Sequence, residues 1–184
     1  MALDYDSYEE RMSKSIEVLH SELNNIRTGR ANPTVLNQVT VSYYGVDTQL
    51  NQVAAISVPE ARQLLIQPWD ATLLDEIERA ILNSDLSLNP NNDGKAIRLN
   101  FPALTEDRRK QLTKEVDKLG EESKISIRHI RRDFLDKAKR AEKSSEISED
   151  ELKLAEENIQ ELTDKYTDKV DTVCAAKNEE LMTV

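Results

Sequence analysis

The sequence predicts an α+β chain in which a long three-helix bundle is interrupted by a small β/α/β domain. Apolar residues recur every three or four positions in three long stretches, which is typical of amphipathic helices. Between the first and second stretches this period stops, and all five prolines of the chain lie there. We therefore expect residues 1–30 and 105–184 to form the bundle and residues 31–104 to form the inserted domain.

The first stretch predicts a helix over residues 3–28. Its apolar side chains form one stripe, made of Tyr5, Tyr8, Met12, Ile16, Leu19, Leu23 and Ile26. Gly29 and Pro33 follow it. They predict the end of the helix, because glycine suits the position after a helix and the residue before proline disfavours helical conformation.

The inserted segment predicts strands over residues 35–44, 50–58, 63–67 and 95–101, where apolar and polar residues alternate at least in part. Residues 73–82 return to helical spacing and predict one short helix. Asn91–Gly94 has the composition of a tight turn.

The second helix is predicted to begin after Thr105, a plausible N-cap, and to continue for nearly forty residues, on the order of 60 Å. Ser148 and Glu151 form a predicted capping box that begins the third helix. The inserted domain is joined to the bundle near Arg30–Ala31 and near Leu104–Thr105. Because a domain held by two short connections is expected to pivot, these four residues are our predicted hinge.

The composition excludes several classes of protein. One cysteine and two histidines exclude a disulfide and a Cys- or His-rich metal site, and no arrangement of a catalytic nucleophile with its base is present. We therefore expect no enzyme activity, metal or cofactor. No apolar run approaches the length of a membrane span, and the acidic N-terminus does not resemble a signal peptide, so we expect a cytoplasmic protein.

The net charge of −10 over 184 residues argues, as a single number, against a nucleic-acid partner. Residues 105–140, however, carry 12 basic and 8 acidic side chains and are the one basic segment. Five of these cations lie about 115° around the helix from its apolar side and form a basic stripe: Lys124, Arg128, Arg131, Arg132 and Lys139. Such arginines suit phosphate contacts. The alternative is a solvated face paired with acids of the third helix.

A second basic group, Arg27, Arg30, Arg108 and Arg109, is expected near the hinge end of the bundle. Its alternative role is structural, through ion pairs with Glu179, Glu180 and the C-terminal carboxylate.

Several separate motifs together resemble those of the bacterial ribosome recycling factors over essentially the whole chain. They are Ile26–Pro33 (IRTGRANP), Tyr43–Gly45 (YYG), Ser84–Pro90 (SDLSLNP), Ile97–Leu99, Pro102–Lys110, Arg128–Asp133 (RHIRRD) and Ile147–Glu151 (ISEDE). Ser87 stands where the family more often has the glycine of its LGLNP motif.

The resemblance implies an L-shaped, tRNA-like arrangement and a monomer that binds the 70S ribosome, with its bundle against large-subunit rRNA. It also implies that elongation factor G, through its GTP hydrolysis, acts with the protein to separate the subunits. Arg128, Arg131 and Arg132 match important bundle arginines of the family, and Arg27, Arg30 and Arg109 match arginines near its hinge. Two alternatives stay open: a scaffold whose stripe docks an acidic protein, and an enzyme.

Overall fold

The computed structural model describes residues 3–183, which form two compact units. The first unit contains residues 3–27 together with residues 106–183, and the second contains residues 28–105. The chain therefore passes between the units at residues 27–28 and again at residues 105–106.

Long helices and short strands make up the described residues, which confirms the predicted α+β class. In chain order the elements are α1 (Tyr5–Asn24), β1 (Thr40–Tyr43), β2 (Val46–Gln49), α2 (Leu50–Val53), β3 (Ala54–Glu60), β4 (Gln63–Pro68), α3 (Leu74–Leu82), β5 (Pro90–Asn92), β6 (Ile97–Asn100), α4 (Glu106–Lys143) and α5 (Glu149–Met182). Two 3₁₀ helices, Pro33–Gln38 and Ala71–Leu73, precede β1 and α3.

The first unit is a bundle of α1, α4 and α5 around one apolar core. Phe134 of α4 is fully buried, and its ring lies 5.0 Å from that of Tyr5 and 5.1 Å from that of Tyr8. On the side of α5, Gly120 of α4 leaves no room for a side chain, since a Cβ there would lie 2.7 Å from Cys174 Sγ. The predicted capping box is confirmed: Ser148 Oγ accepts from Glu151 N–H at 3.2 Å, and the Glu151 carboxylate accepts from Ser148 N–H at 2.7 Å.

The second unit contains two antiparallel sheets and the helix α3. One sheet pairs β1 with β2, and the other has the strand order β3-β4-β6-β5. Alternate residues of β4 and β6 are fully buried, among them Leu64, Ile66 and Ile97, and they share a core with Ile77 and Ile81 of α3. The unit therefore has a hydrophobic core of its own.

The structure departs from the predicted elements where local hydrogen bonds decide the backbone. Residues 33–38 form a 3₁₀ helix instead of the start of a strand, because Asn32 caps its first turn and Pro33 stands at its beginning. Leu50–Val53 forms one helical turn before β3. The helix α1 ends at Asn24 rather than near Thr28, and the short strands β2 and β5 were not predicted.

Candidate nucleic-acid interface

The five cations of the basic stripe all lie on α4, a continuous helix of 38 residues. The apolar side of this helix is fixed by fully buried Ile127 and Phe134 and by buried Ile130. Because that side is held in the core, the neighbouring side of α4 presents Arg128 and Arg132 to solvent, while Lys124 and Arg131 are half-buried. A rigid helix thus fixes the spacing of the charges.

Three of the five cations are paired with carboxylates. Lys124 Nζ lies 2.5 Å from Asp171 Oδ1, and Lys139 Nζ lies 3.9 Å from Glu156 Oε1, so both contact α5. Arg128 Nη1 donates to Glu121 Oε1 of its own helix at 3.0 Å. The structure therefore shows pairing with acids of the third helix for Lys124 and Lys139, as the alternative interpretation expects.

The two remaining arginines of the stripe have no carboxylate partner within residues 3–183. Arg131 Nη1 donates to the neutral amide oxygen of Gln160 at 2.5 Å. Arg132 is exposed, and no hydrogen bond or ion pair joins its side chain to another described residue. Adjacent positions of α4 thus carry two guanidinium groups whose charge is not neutralised by an acid.

The ion pairs of the stripe are weak enough to be exchanged for another anion. The side chains of Arg128 and Lys139 are 53% and 56% exposed. Exposed pairs of this kind contribute about 0–1 kcal/mol each, because water screens them and long side chains lose rotamer entropy. A polyphosphate ligand can therefore displace Glu121 and Glu156 at small cost.

A groove of about 270 Å³ separates the stripe from α5. Its α4 side is basic, with Lys124, Arg128 and Arg131, and its α5 side is polar and acidic, with Gln160, Thr163, Asp164, Thr167 and Asp171. These α5 residues are not among the site residues predicted from the sequence. Their spacing nevertheless indicates a common side of α5. Positions 160, 164, 167 and 171 each follow by one residue the buried positions 159, 163, 166 and 170, so they lie along the edge of the buried stripe.

The second basic group is divided between the two units. Arg108 Nη1 donates to Gln111 Oε1 at 3.1 Å, and Arg109 Nη1 donates to the carbonyl of Met182 at 3.4 Å, near the end of α5. Arg27 ends the N-terminal segment of the first unit, whereas Arg30 belongs to the second unit. Val184, which bears the C-terminal carboxylate considered as a partner, lies outside the described residues.

The residues predicted as a hinge belong to the second unit. Ala31 N–H donates to the carbonyl of Ala61 at 2.9 Å. Gly29 has a φ of +80°, a left-handed conformation that favours glycine, and a Cβ there would lie 3.4 Å from Leu104 Cγ. The passages at residues 27–28 and 105–106 lie within three residues of the predicted hinge positions.

Within residues 3–183, no group of three or more His, Cys, Asp and Glu side chains could hold a metal ion. Over the same residues, no helix has both the length and the apolar character needed to cross a membrane.

The sequence is similar to known proteins over nearly its full length. The model of the family "Ribosome recycling factor" matches residues 19–182. The ribosome-recycling factor of Acetivibrio thermocellus is 54% identical over 181 residues, which cover 98% of this chain and 99% of that protein. That of Caldicellulosiruptor bescii is 55% identical over 176 residues, covering 96% of each.

Solved structures of the same kind are similar in fold. The solution structure of a ribosome recycling factor superposes with a TM-score of 0.74 at 38% identity, covering 98% of this chain and 96% of that one. The T. thermophilus ribosome recycling factor superposes with a TM-score of 0.62 at 46% identity, covering 97% and 96%. That structure describes it with the E. coli elongation factor G, bound to the E. coli post-termination complex.

Proposed function

This chain belongs to the ribosome recycling factor family, and from that premise we propose that it recycles post-termination ribosomes together with elongation factor G. In this proposal the stripe of α4 binds rRNA of the large subunit. The second unit faces the elongation factor, whose GTP hydrolysis drives the separation of the subunits. The protein acts as a monomeric cytoplasmic translation factor, without catalysis or a cofactor of its own.

The observation that carries the rRNA contact is the separation of charge along the chain. Residues 105–140 have a net charge of +4, whereas residues 141–184 have a net charge of −8. RNA phosphates are attracted to the first and repelled by the second, so only one side of the bundle can approach RNA. Arg131 and Arg132, which no carboxylate neutralises within the described residues, are the side chains best placed for phosphate contacts.

The proposed hinge follows from the two passages of the chain between the units. Each unit has its own core, and within residues 3–183 the chain connects them only at residues 27–28 and 105–106. Because only these two covalent connections hold it, the second unit can rotate while the bundle stays bound. The similar T. thermophilus factor, described with elongation factor G on a post-termination complex, supports this choice of partners.

Substitution of the stripe arginines tests the rRNA contact. We expect Arg131→Ala and Arg132→Ala each to weaken binding to 70S ribosomes roughly ten- to a hundredfold, since a charge-assisted hydrogen bond contributes about 1.5–3 kcal/mol. The slope of log affinity against log salt should become less steep by about one for each lost phosphate contact. Co-sedimentation with ribosomes across a salt series measures both quantities.

Arg140→Ala is the matched control, because Arg140 is an exposed arginine of the same helix that lies outside the stripe. It should bind ribosomes with nearly the original affinity. If Arg131→Ala and Arg132→Ala behave like this control, the stripe is not the ribosome contact. Nuclease-resistant co-purification with proteins, without co-sedimentation with ribosomes, would instead support a protein-binding scaffold.

A further inference from the structure

A short chain of hydrogen bonds joins Arg131 to α5. Arg131 Nη1 donates to Gln160 Oε1, and Gln160 Nε2 donates to Asp164 Oδ1 at 2.8 Å. Gln160 and Asp164 are four residues apart and therefore lie on the same side of α5, one turn from each other. All three side chains line the groove between α4 and α5.

Asp164 fixes which end of the Gln160 amide faces Arg131. An ionised carboxylate only accepts hydrogen bonds, so the amide must turn its NH₂ group toward Asp164. Its carbonyl oxygen is then directed to Arg131, which can only donate. The orientation of Gln160 thus follows from the two charged neighbours.

Arg131 differs from the other paired cations of the stripe in the charge of its partner. Lys124, Arg128 and Lys139 are each paired with a carboxylate, which a phosphate would have to displace. Gln160 is neutral, so it holds Arg131 without reducing the positive charge of the guanidinium. A ligand therefore meets a guanidinium group that is held in place and keeps its positive charge.

The position in which Arg131 is held is unfavourable for its own solvation. Arg131 Nε is buried and has no hydrogen-bond partner among residues 3–183. A side chain free to rotate would expose this N–H to water, because a buried unpaired donor is costly. The hydrogen bond to Gln160 thus holds Arg131 in a position in which its Nε is shielded from water.

We propose that Gln160, oriented by Asp164, is a positioning residue that holds the Arg131 guanidinium ready for an RNA phosphate. The inference rests on the proposed function, because the phosphate belongs to the ribosomal RNA that the stripe binds. Without Gln160, Arg131 would lose side-chain entropy on binding, and affinity would fall.

Four variants test this proposal, and all change exposed positions of α5. Gln160→Ala should weaken ribosome binding about three- to tenfold with an unchanged salt slope, because the phosphate contact stays but is less well ordered. Gln160→Glu should weaken binding further and make the salt slope less steep by about one, because the new carboxylate neutralises Arg131. Asn158→Ala and Asn158→Asp make the matched changes elsewhere on α5 and should leave affinity within about twofold.

Side-chain NMR of the free protein gives a readout that is independent of the ribosome. The Arg131 ¹⁵Nε resonance should report faster motion in Gln160→Ala than in the original chain, and no such change in Asn158→Ala. A merely structural role of Gln160 would alter unfolding without this selective change.

The outcomes separate this proposal from the function on which it rests. If Gln160→Ala binds ribosomes as tightly as the original chain, or more tightly, while Arg131→Ala binds weakly, Gln160 does not position Arg131 and the stripe assignment stands. Unchanged mobility of Arg131 in Gln160→Ala also overturns the positioning role. If Arg131→Ala itself binds with the original affinity and salt slope, the stripe assignment fails.

Discussion

At the scale of single residues, the backbone of Ser87 adopts a conformation that favours glycine. Ser87 has a φ of +52°, in the left-handed region, and its side chain is exposed. Left-handed backbone costs a residue with a Cβ roughly 1–2 kcal/mol, so the loop between α3 and β5 is strained at Ser87.

We predict that Ser87→Gly stabilises the second unit by about 0.5–1 kcal/mol, because relief of this strain exceeds the added freedom of glycine in the unfolded chain. Urea unfolding followed by the fluorescence of Trp69, the one tryptophan, reports on this unit. Ser87→Ala is the control, since it removes the hydroxyl but keeps the Cβ. Equal stability of the glycine and alanine variants would contradict the prediction.

For the site, the sequence predicts the position of the basic stripe but not the partners of its cations. The helical spacing located the stripe, because Ile127, Ile130 and Phe134 define the buried side of α4 from the sequence alone. It could not assign partners to the cations. Whether Lys124 meets Asp171 depends on the rotation of α5 about its own axis, which is set by packing against Gly120 and its neighbours.

At the scale of elements, Glu9 joins α1 to α5. Its Oε1 accepts from Lys165 Nζ at 2.8 Å and from Tyr166 O–H at 3.1 Å. The hydrogen bonds from Lys165 and Tyr166 lower the pKa of Glu9, while burial and the Glu9 carboxylate raise the pKa of Tyr166. The phenol therefore stays protonated and donates at neutral pH.

This pair of contacts predicts a pH-dependent contribution to the stability of the bundle. Because the pKa of Glu9 is lower in the folded chain, the contribution is present above the ordinary value of 4.5 and is lost as the pH falls through the folded value. Glu9→Gln should therefore be less stable than the original chain at pH 7, and the difference should shrink below about pH 4.5. Chemical unfolding of both proteins over this pH range measures it.

Tyr166→Phe provides the companion variant, because it removes one of the two donors to Glu9. Its stability should depend on pH less steeply than that of the original chain. A difference between Glu9→Gln and the original chain that is constant from pH 7 to pH 3 would show that the Glu9 carboxylate does not link the two helices.

The elements that could be predicted are those with strong local signals. The capping box at Ser148 begins α5 as expected, and the apolar spacing from Leu112 onward predicted a helix close to the length of α4. The strands β2 and β5 have only four and three residues, are mostly polar and contain no buried residue. Their pairing with β1 and β6 fixes them, and no periodicity within so few residues reports such pairing.

At the scale of the whole molecule, the net charge of −10 conceals a basic helix. The inserted residues 31–104 have a net charge of −4, and the third helix belongs to the segment with −8. An acidic protein with one basic stripe is expected to bind RNA in one orientation and to be repelled in others. Under the proposed function, this distribution also favours release after the subunits separate.

The two passages of the chain between the units lead to the last prediction. If the second unit transmits force from the elongation factor to the bound bundle, lengthening these two passages should interrupt the transmission of force. Inserting two glycines between Arg27 and Thr28, and two more between Thr105 and Glu106, adds up to about 7 Å of chain at each passage. Because α4 is unchanged, ribosome affinity should stay within about twofold, while subunit splitting with elongation factor G and GTP should be strongly impaired.

The control carries the same two glycines between Glu146 and Ile147, in the exposed turn between α4 and α5. It lengthens the chain within the bundle and should leave both binding and splitting intact. Light scattering after addition of elongation factor G and GTP follows the separation of the subunits, and co-sedimentation gives the affinity. Full splitting by the lengthened protein would show that recycling does not require a taut connection between the units, and the proposed hinge would then have no mechanical role.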